Sequence, residues 1–222
     1  MRVRERYRQI RGLMAQQRSP AVSQLKAPLG ESAVHLCVDM QRLFSAQGPW
    51  PTPWMARVLP AVLAMVEHAP AKTLFTRFIP PLTAADAPGR WQAYYGKWAA
   101  VTRERIDPAL LELLPALAAH VPPACVFDKP AYSAFTAPGL LAHLMERSAD
   151  TLIVTGSETD VCVLASVLAA IDCGFRVVVA RDGVCSSSDK THDALLTLYS
   201  RRFDVQLELA DSAEIIDAWA VR

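Results

Sequence analysis

The sequence predicts an α/β protein: a three-layer α/β/α sandwich around a mostly parallel six-stranded sheet, with Rossmann-like topology. Three observations carry that prediction. Six short, mostly apolar runs recur along the 222 residues. Segments with helical spacing separate them, as crossovers between parallel strands require. The runs are nearly continuous in apolar residues rather than alternating, which is the pattern of strands covered on both faces. A composition of 52% hydrophobic and 20% charged residues is enough to fill such a core.

The elements follow in order. AVHLCVDM (33–40) is the first strand and ends in a charge. Residues 54–68 have helical spacing, with Pro60 expected to kink or break the helix. KTLFTRFI (72–79) and ACVFDK (124–129) are the second and third strands, and GLLAHLMERS (139–148) is helical. TLIVTG (151–156) leads into a helix that runs to about Cys173, with Gly174 placed to terminate it. FRVVVARDG (175–183), a helix over 189–202, VQLELA (205–210) and a helix over 212–220 complete the pattern. Residues 80–106 interrupt it with a long connection rich in aromatics, including Trp91, Tyr94, Tyr95 and Trp98. Long connections of this kind often serve as lids or binding loops.

Charge is unevenly spread. Residues 1–18 hold six arginines against Glu5, which makes that segment +5 and leaves −4 for the rest of a chain whose net charge is +1. We divide the chain into a basic N-terminal arm and linker (1–30) and one domain (31–222). The arm is either an interaction tail or a solvated helix, and solvated runs are the commoner use. A balance near neutral argues against a dedicated nucleic-acid binder. No apolar run is long enough for a membrane span, and no apolar stretch of the secretory kind follows the arginines. Five widely spaced cysteines, with no C-x-x-C, do not form a secreted disulfide framework, so a reducing cytoplasm is expected.

In an open α/β sheet, ligands bind beyond the carboxyl ends of the strands. Asp39, Lys129 and Cys162 all emerge on that rim. Thr159 or Asp160 is placed to cap the helix that follows, which puts Cys162 in its first turn. Free N–H groups and the positive end of the helix dipole there favour a thiolate and suit an oxyanion. A nearby lysine lowers a thiol pKa further, and a carboxylate can carry protons. Each position also has an ordinary reading, as a turn former, a solvated lysine or a packed thiol. The case for chemistry rests on the three together.

Those residues carry a resemblance. VDMQ with Asp39, DKPAYSAF with Lys129 and GSETDVCV with Cys162 resemble the signatures of the isochorismatase-like cysteine hydrolases, over roughly residues 32–210. The resemblance implies a catalytic triad of Asp39, Lys129 and Cys162 and a thioester on Cys162. It also implies an oxyanion hole from the backbone N–H groups of Glu158 and Cys162, with a cis peptide at Ser157–Glu158. Metal-binding nicotinamidases of this family carry an Asp-x-His pair and a further histidine near the second strand. Here Met40 to Phe78 contains only His68, so neither a catalytic metal nor any other cofactor is expected. The presence of Cys162 favours amide-type C–N cleavage over vinyl-ether hydrolysis. The family also implies a homo-oligomer, with a small molecule as the main partner.

For substrate contacts the expected set is Phe44, Arg77, Trp91, Tyr95, Phe135 and Glu158. Arg77 reads either as a carboxylate clamp or as a plain ion pair. The rings of 80–106, with Trp50 and Trp54, read first as core or interface packing and second as a pocket lid. Two rivals to the hydrolase reading stand: a non-catalytic binding protein that uses the arginine arm, and redox work between Cys162 and Cys173 or Cys185, for which no paired motif exists.

Overall fold

The computed structural model describes residues 25–221. The arginine-rich stretch 1–18 lies outside them. The strands are β1 (Ala33–Val38), β2 (Thr73–Phe78), β3 (Cys125–Lys129), β4 (Thr151–Ser157), β5 (Arg176–Cys185) and β6 (Leu207–Ala210). They form one sheet in the order β3-β2-β1-β4-β5-β6, parallel at every pairing. The helices are α1 (Met55–His68), α2 (Trp91–Lys97), α3 (Pro115–Ala118), α4 (Leu140–Glu146), α5 (Leu164–Asp172), α6 (Asp189–Arg202) and α7 (Ser212–Ala218).

The apolar runs become strands because both faces of the sheet are covered. One face, carrying Val34, Leu36, Leu152, Val154, Val177 and Val179, packs on Leu140 and Leu144 of α4, Val167 of α5 and Tyr199 of α6. The opposite face meets α1 through Met55, Val58, Val62 and Met65, and α7 through Ile215. Burying one such aliphatic side chain contributes about 1.5–3 kcal/mol, so the three layers hold one another in place. Of the kink or break expected at Pro60, the break does not occur, and α1 runs through the proline. It sits on the exposed side, where the lost hydrogen bond leaves its carbonyl partner in water.

The strand order reverses between β1 and β4, one leading towards β2 and the other towards β5. A crevice opens at such a switch point beyond the carboxyl ends of the strands. Gly156 pairs with Val38 there at φ +112°, and a Cβ on it would lie 2.0 Å from the Val38 carbonyl oxygen. Only glycine permits this approach, which brings the ends of β1 and β4 together under the crevice.

Candidate active site

Asp39 is the first residue beyond β1 and takes a left-handed conformation, φ +50°. That backbone is held by its neighbour strand. The Asp39 N–H donates to the Thr76 carbonyl and to Thr76 Oγ1, both at 3.2 Å, and Thr76 Oγ1 donates to Asp39 Oδ1 at 2.7 Å. Lys129, the last residue of β3, places Nζ 2.7 Å from Asp39 Oδ2. Its remaining donors go to the carbonyls of Ala131 and Tyr132, each at 2.9 Å. Both side chains of the ion pair are fully removed from solvent. Asp39 Oδ2, in contact with the ammonium, accepts no aligned hydrogen bond, so it keeps room for a proton from a neighbour.

That neighbour is Cys162. The strand–helix junction differs from the expected capped helix. Residues Thr159–Val163 form a π turn before α5 begins, with no side-chain cap. The two expected caps are engaged elsewhere: Thr159 Oγ1 lies 2.8 Å from His192 Nδ1, and Ser186 Oγ donates to the Asp160 carboxylate. The Glu158 carbonyl accepts from the N–H groups of Val161 and Val163 and skips Cys162 between them. Among the described residues no backbone carbonyl accepts from the Glu158 N–H. The Ser157–Glu158 peptide is cis.

The thiol lies within reach of both Asp39 and Lys129. Burial pushes its pKa well up, the Asp39 carboxylate pushes it the same way, and the Lys129 ammonium opposes them. The sequence expectation of a thiolate stabilised by lysine meets two opposing influences here, burial and the Asp39 carboxylate. The Lys129 charge is shared with Asp39 at 2.7 Å, so desolvation is the largest influence on the thiol and favours its protonated form.

Cys162 opens into a cavity of about 380 Å³, a size suited to a small organic molecule. Its walls are aromatic. Trp50 is the hub, with ring centroids 6.1 Å from Phe44, 6.2 Å from Phe78, 6.1 Å from Tyr94 and 5.9 Å from Trp98. Tyr132, Glu158, Val161 and Ser187 complete the lining near the thiol.

Of the expected substrate residues, Phe44 and Glu158 line this cavity and four do not. Arg77 is paired across the sheet register with Asp128, at 2.8 Å, and reaches Glu112 at 2.7 Å. Its guanidinium is satisfied away from the cavity. Trp91 and Tyr95 stack on each other with centroids 6.0 Å apart and stand behind the wall, Trp91 against Tyr94 and Tyr132. Phe135 packs 6.1 Å from Phe175 in the core under α4 and α5. Sequence reasoning missed Tyr132 and assigned Tyr94, Trp98 and Trp50 first to packing. The signal for all four was aromatic content beside a motif, without direction.

Among the described residues no three His, Cys, Asp or Glu side chains cluster to hold a metal. His68 is not near the triad. It contacts the Trp219 carbonyl at 3.0 Å on the far side of α1. No helix among the described residues is long and apolar enough to cross a membrane.

Comparison with known proteins bears on the family and the fold. The family model "Isochorismatase domain" matches residues 33–211. The chain is 33% identical over 88 residues to the isochorismatase family protein PncA of Bacillus subtilis (strain 168), covering 40% of this chain and 48% of the relative. It is 32% identical over 93 residues to the maleamate amidohydrolase of Pseudomonas putida, covering 42% of this chain and 41% of the relative. The matched stretch thus spans less than half the length of each. A solved cysteine hydrolase from Pseudomonas syringae pv. phaseolicola 1448A shares the fold with TM-score 0.77 at 21% identity, over 90% of this chain and 98% of that one.

Proposed function

The chain belongs to the isochorismatase family, and from that premise we propose that it is a metal-independent cysteine hydrolase cleaving a C–N bond of a small amide or ureide. The observation that carries this reading is the buried Asp39–Lys129 ion pair placed beside the Cys162 thiol at the cavity floor. A buried pair of charges is costly to maintain, so its position against a nucleophile points to proton transfer rather than stability.

In this reading Asp39 takes the Cys162 proton as sulfur attacks the substrate carbonyl. The tetrahedral oxyanion is received by the N–H groups of Glu158 and Cys162. Asp39 then returns the proton to the leaving nitrogen, which departs as ammonia or an amine and leaves a thioester. Water gives a proton to Asp39 and attacks the thioester, the carbon–sulfur bond breaks, and the acid is released with the thiol restored. Lys129 keeps Asp39 in register throughout, itself anchored by that carboxylate contact and by the Ala131 and Tyr132 carbonyls.

Ammonia release from a panel of small amides and ureides, measured with and without a chelator, tests the proposal. Turnover by the wild type should be unaffected by chelation. It should fall by about 10⁴-fold or more in Cys162→Ala, as loss of a nucleophile does elsewhere. Retained turnover in that variant, or loss on chelation, would refute it.

A further inference from the structure

We infer that the cavity selects a positively charged ligand: an amide whose acyl group carries an ammonium centre, seated against the Trp50 aromatic wall and facing the Glu158 carboxylate. This deepens the hydrolase reading and rests on it for the reaction, though not for the binding preference.

The argument starts from charge. Among the described residues that line the cavity, Glu158 is the one formally charged side chain. Asp39 and Lys129 lie beneath the floor as a 2.7 Å pair whose charges offset one another. The lysine ammonium donates to the Ala131 and Tyr132 carbonyls besides its contact with Asp39, so its donors are engaged within the protein. Arg77, the nearest basic candidate from the sequence, is engaged with Asp128 and Glu112 instead. Lys97 approaches the wall from outside the lining, 5.2 Å over the Trp98 ring, so the lining side chains themselves offer one negative charge and no basic group to pair with a carboxylate-bearing amide.

Glu158 is also positioned for contact. Its Oε2 accepts from the Ser187 N–H at 2.9 Å, so the carboxylate is fixed by backbone and the second oxygen remains for a ligand. The same cavity is lined by Phe44, Trp50, Tyr94 and Trp98, and the faces of aromatic rings carry the negative end of the quadrupole. Such faces attract an ammonium group, tryptophan most strongly, and the attraction grows where water is excluded. Burial pushes the Tyr94 and Tyr132 phenols up in pKa, so both stay neutral at ordinary pH. A carboxylate and a wall of rings on one small cavity complement a cation better than a neutral ring, which would leave Glu158 facing an apolar group.

The test uses three amides of similar size: trimethylammonioacetamide, its uncharged isostere 3,3-dimethylbutanamide, and the anion succinamate. Turnover is followed as kcat/KM, and binding by calorimetric titration of Cys162→Ala. The cation should exceed its isostere by about tenfold or more in both readouts, with succinamate weakest. In Glu158→Gln the cation-to-isostere ratio should fall about tenfold, with a smaller change for the isostere. Equal turnover and equal binding of the cation and its isostere would overturn the inference and leave the hydrolase reading standing. Preferential binding of the cation without turnover of any amide would sustain the charge preference and sink the hydrolase reading. Binding of none of the three would overturn the inference as well.

Discussion

Two buried polar centres sit four residues apart on one chain segment, and they behave in opposite ways. His35, in the middle of β1, is fully buried between Thr73 Oγ1 at 3.2 Å and Thr155 Oγ1 at 2.8 Å. Desolvation lowers its pKa to about 3, so it stays a neutral imidazole with both ring nitrogens partnered. Asp39, just past the end of the same strand, is equally buried but charged. It is held in a left-handed conformation and set beside a thiol that opens on a cavity. The first centre ties β1 to β2 and β4. The second carries costs that packing alone would not select: a desolvated ion pair, a strained backbone and an unaligned carboxylate oxygen. Burial of a polar group is therefore weak evidence of function. Burial combined with charge, strain and access is much stronger.

The largest expected effect lies at the charged centre. Lys129→Met removes the ammonium while filling its space, and strands the Asp39 carboxylate. Urea unfolding should show a loss of about 3–5 kcal/mol, with amide turnover abolished at temperatures where the variant is still folded. A Lys129→Met protein of wild-type stability would mean that the pair is not carrying the charge we assign to it.

The neutral centre should show itself through pH rather than activity. The folded pKa of His35 lies below its unfolded value of 6.5, so the unfolded chain binds a proton that the folded chain refuses. The stability this confers is present above pH 6.5 and is lost as pH falls towards about 3. From this residue the unfolding free energy should be about 2 kcal/mol lower at pH 5 than at pH 7. His35→Gln, which cannot titrate, should flatten that part of the profile relative to wild type. An acid limb that is identical in the two proteins would show that His35 is not held neutral.

Much of the fold was legible because its physics is local. Continuous apolar runs and helical spacing placed all six strands within a few residues, and the ends of β1 and β3 and the turn after β4 located Asp39, Lys129 and Cys162, which the fold brings together. The errors came from direction and pairing. Side chains alternate along a strand, so Thr76 and Phe78 face the site while Arg77 meets Asp128 on β3. That register pairing is invisible until the strands are laid side by side. Helical spacing identified the rings of 80–106 but not which of them look inward, so Tyr94 and Trp98 line the cavity while Trp91 and Tyr95 stand behind it. The capped helix expected at Cys162 became a π turn because Thr159 and Asp160 found long-range partners in His192 and Ser186.

The central claim is that acyl transfer passes through Cys162. Its most direct test is turnover of a reactive amide in the presence of hydroxylamine, with the acid and hydroxamate products quantified together. A thioester intermediate predicts that hydroxamate forms in competition with acid, in proportion to the hydroxylamine supplied, and that Cys162→Ala makes neither. Acid alone at every hydroxylamine concentration, or hydroxamate from the Cys162→Ala protein, would contradict the account.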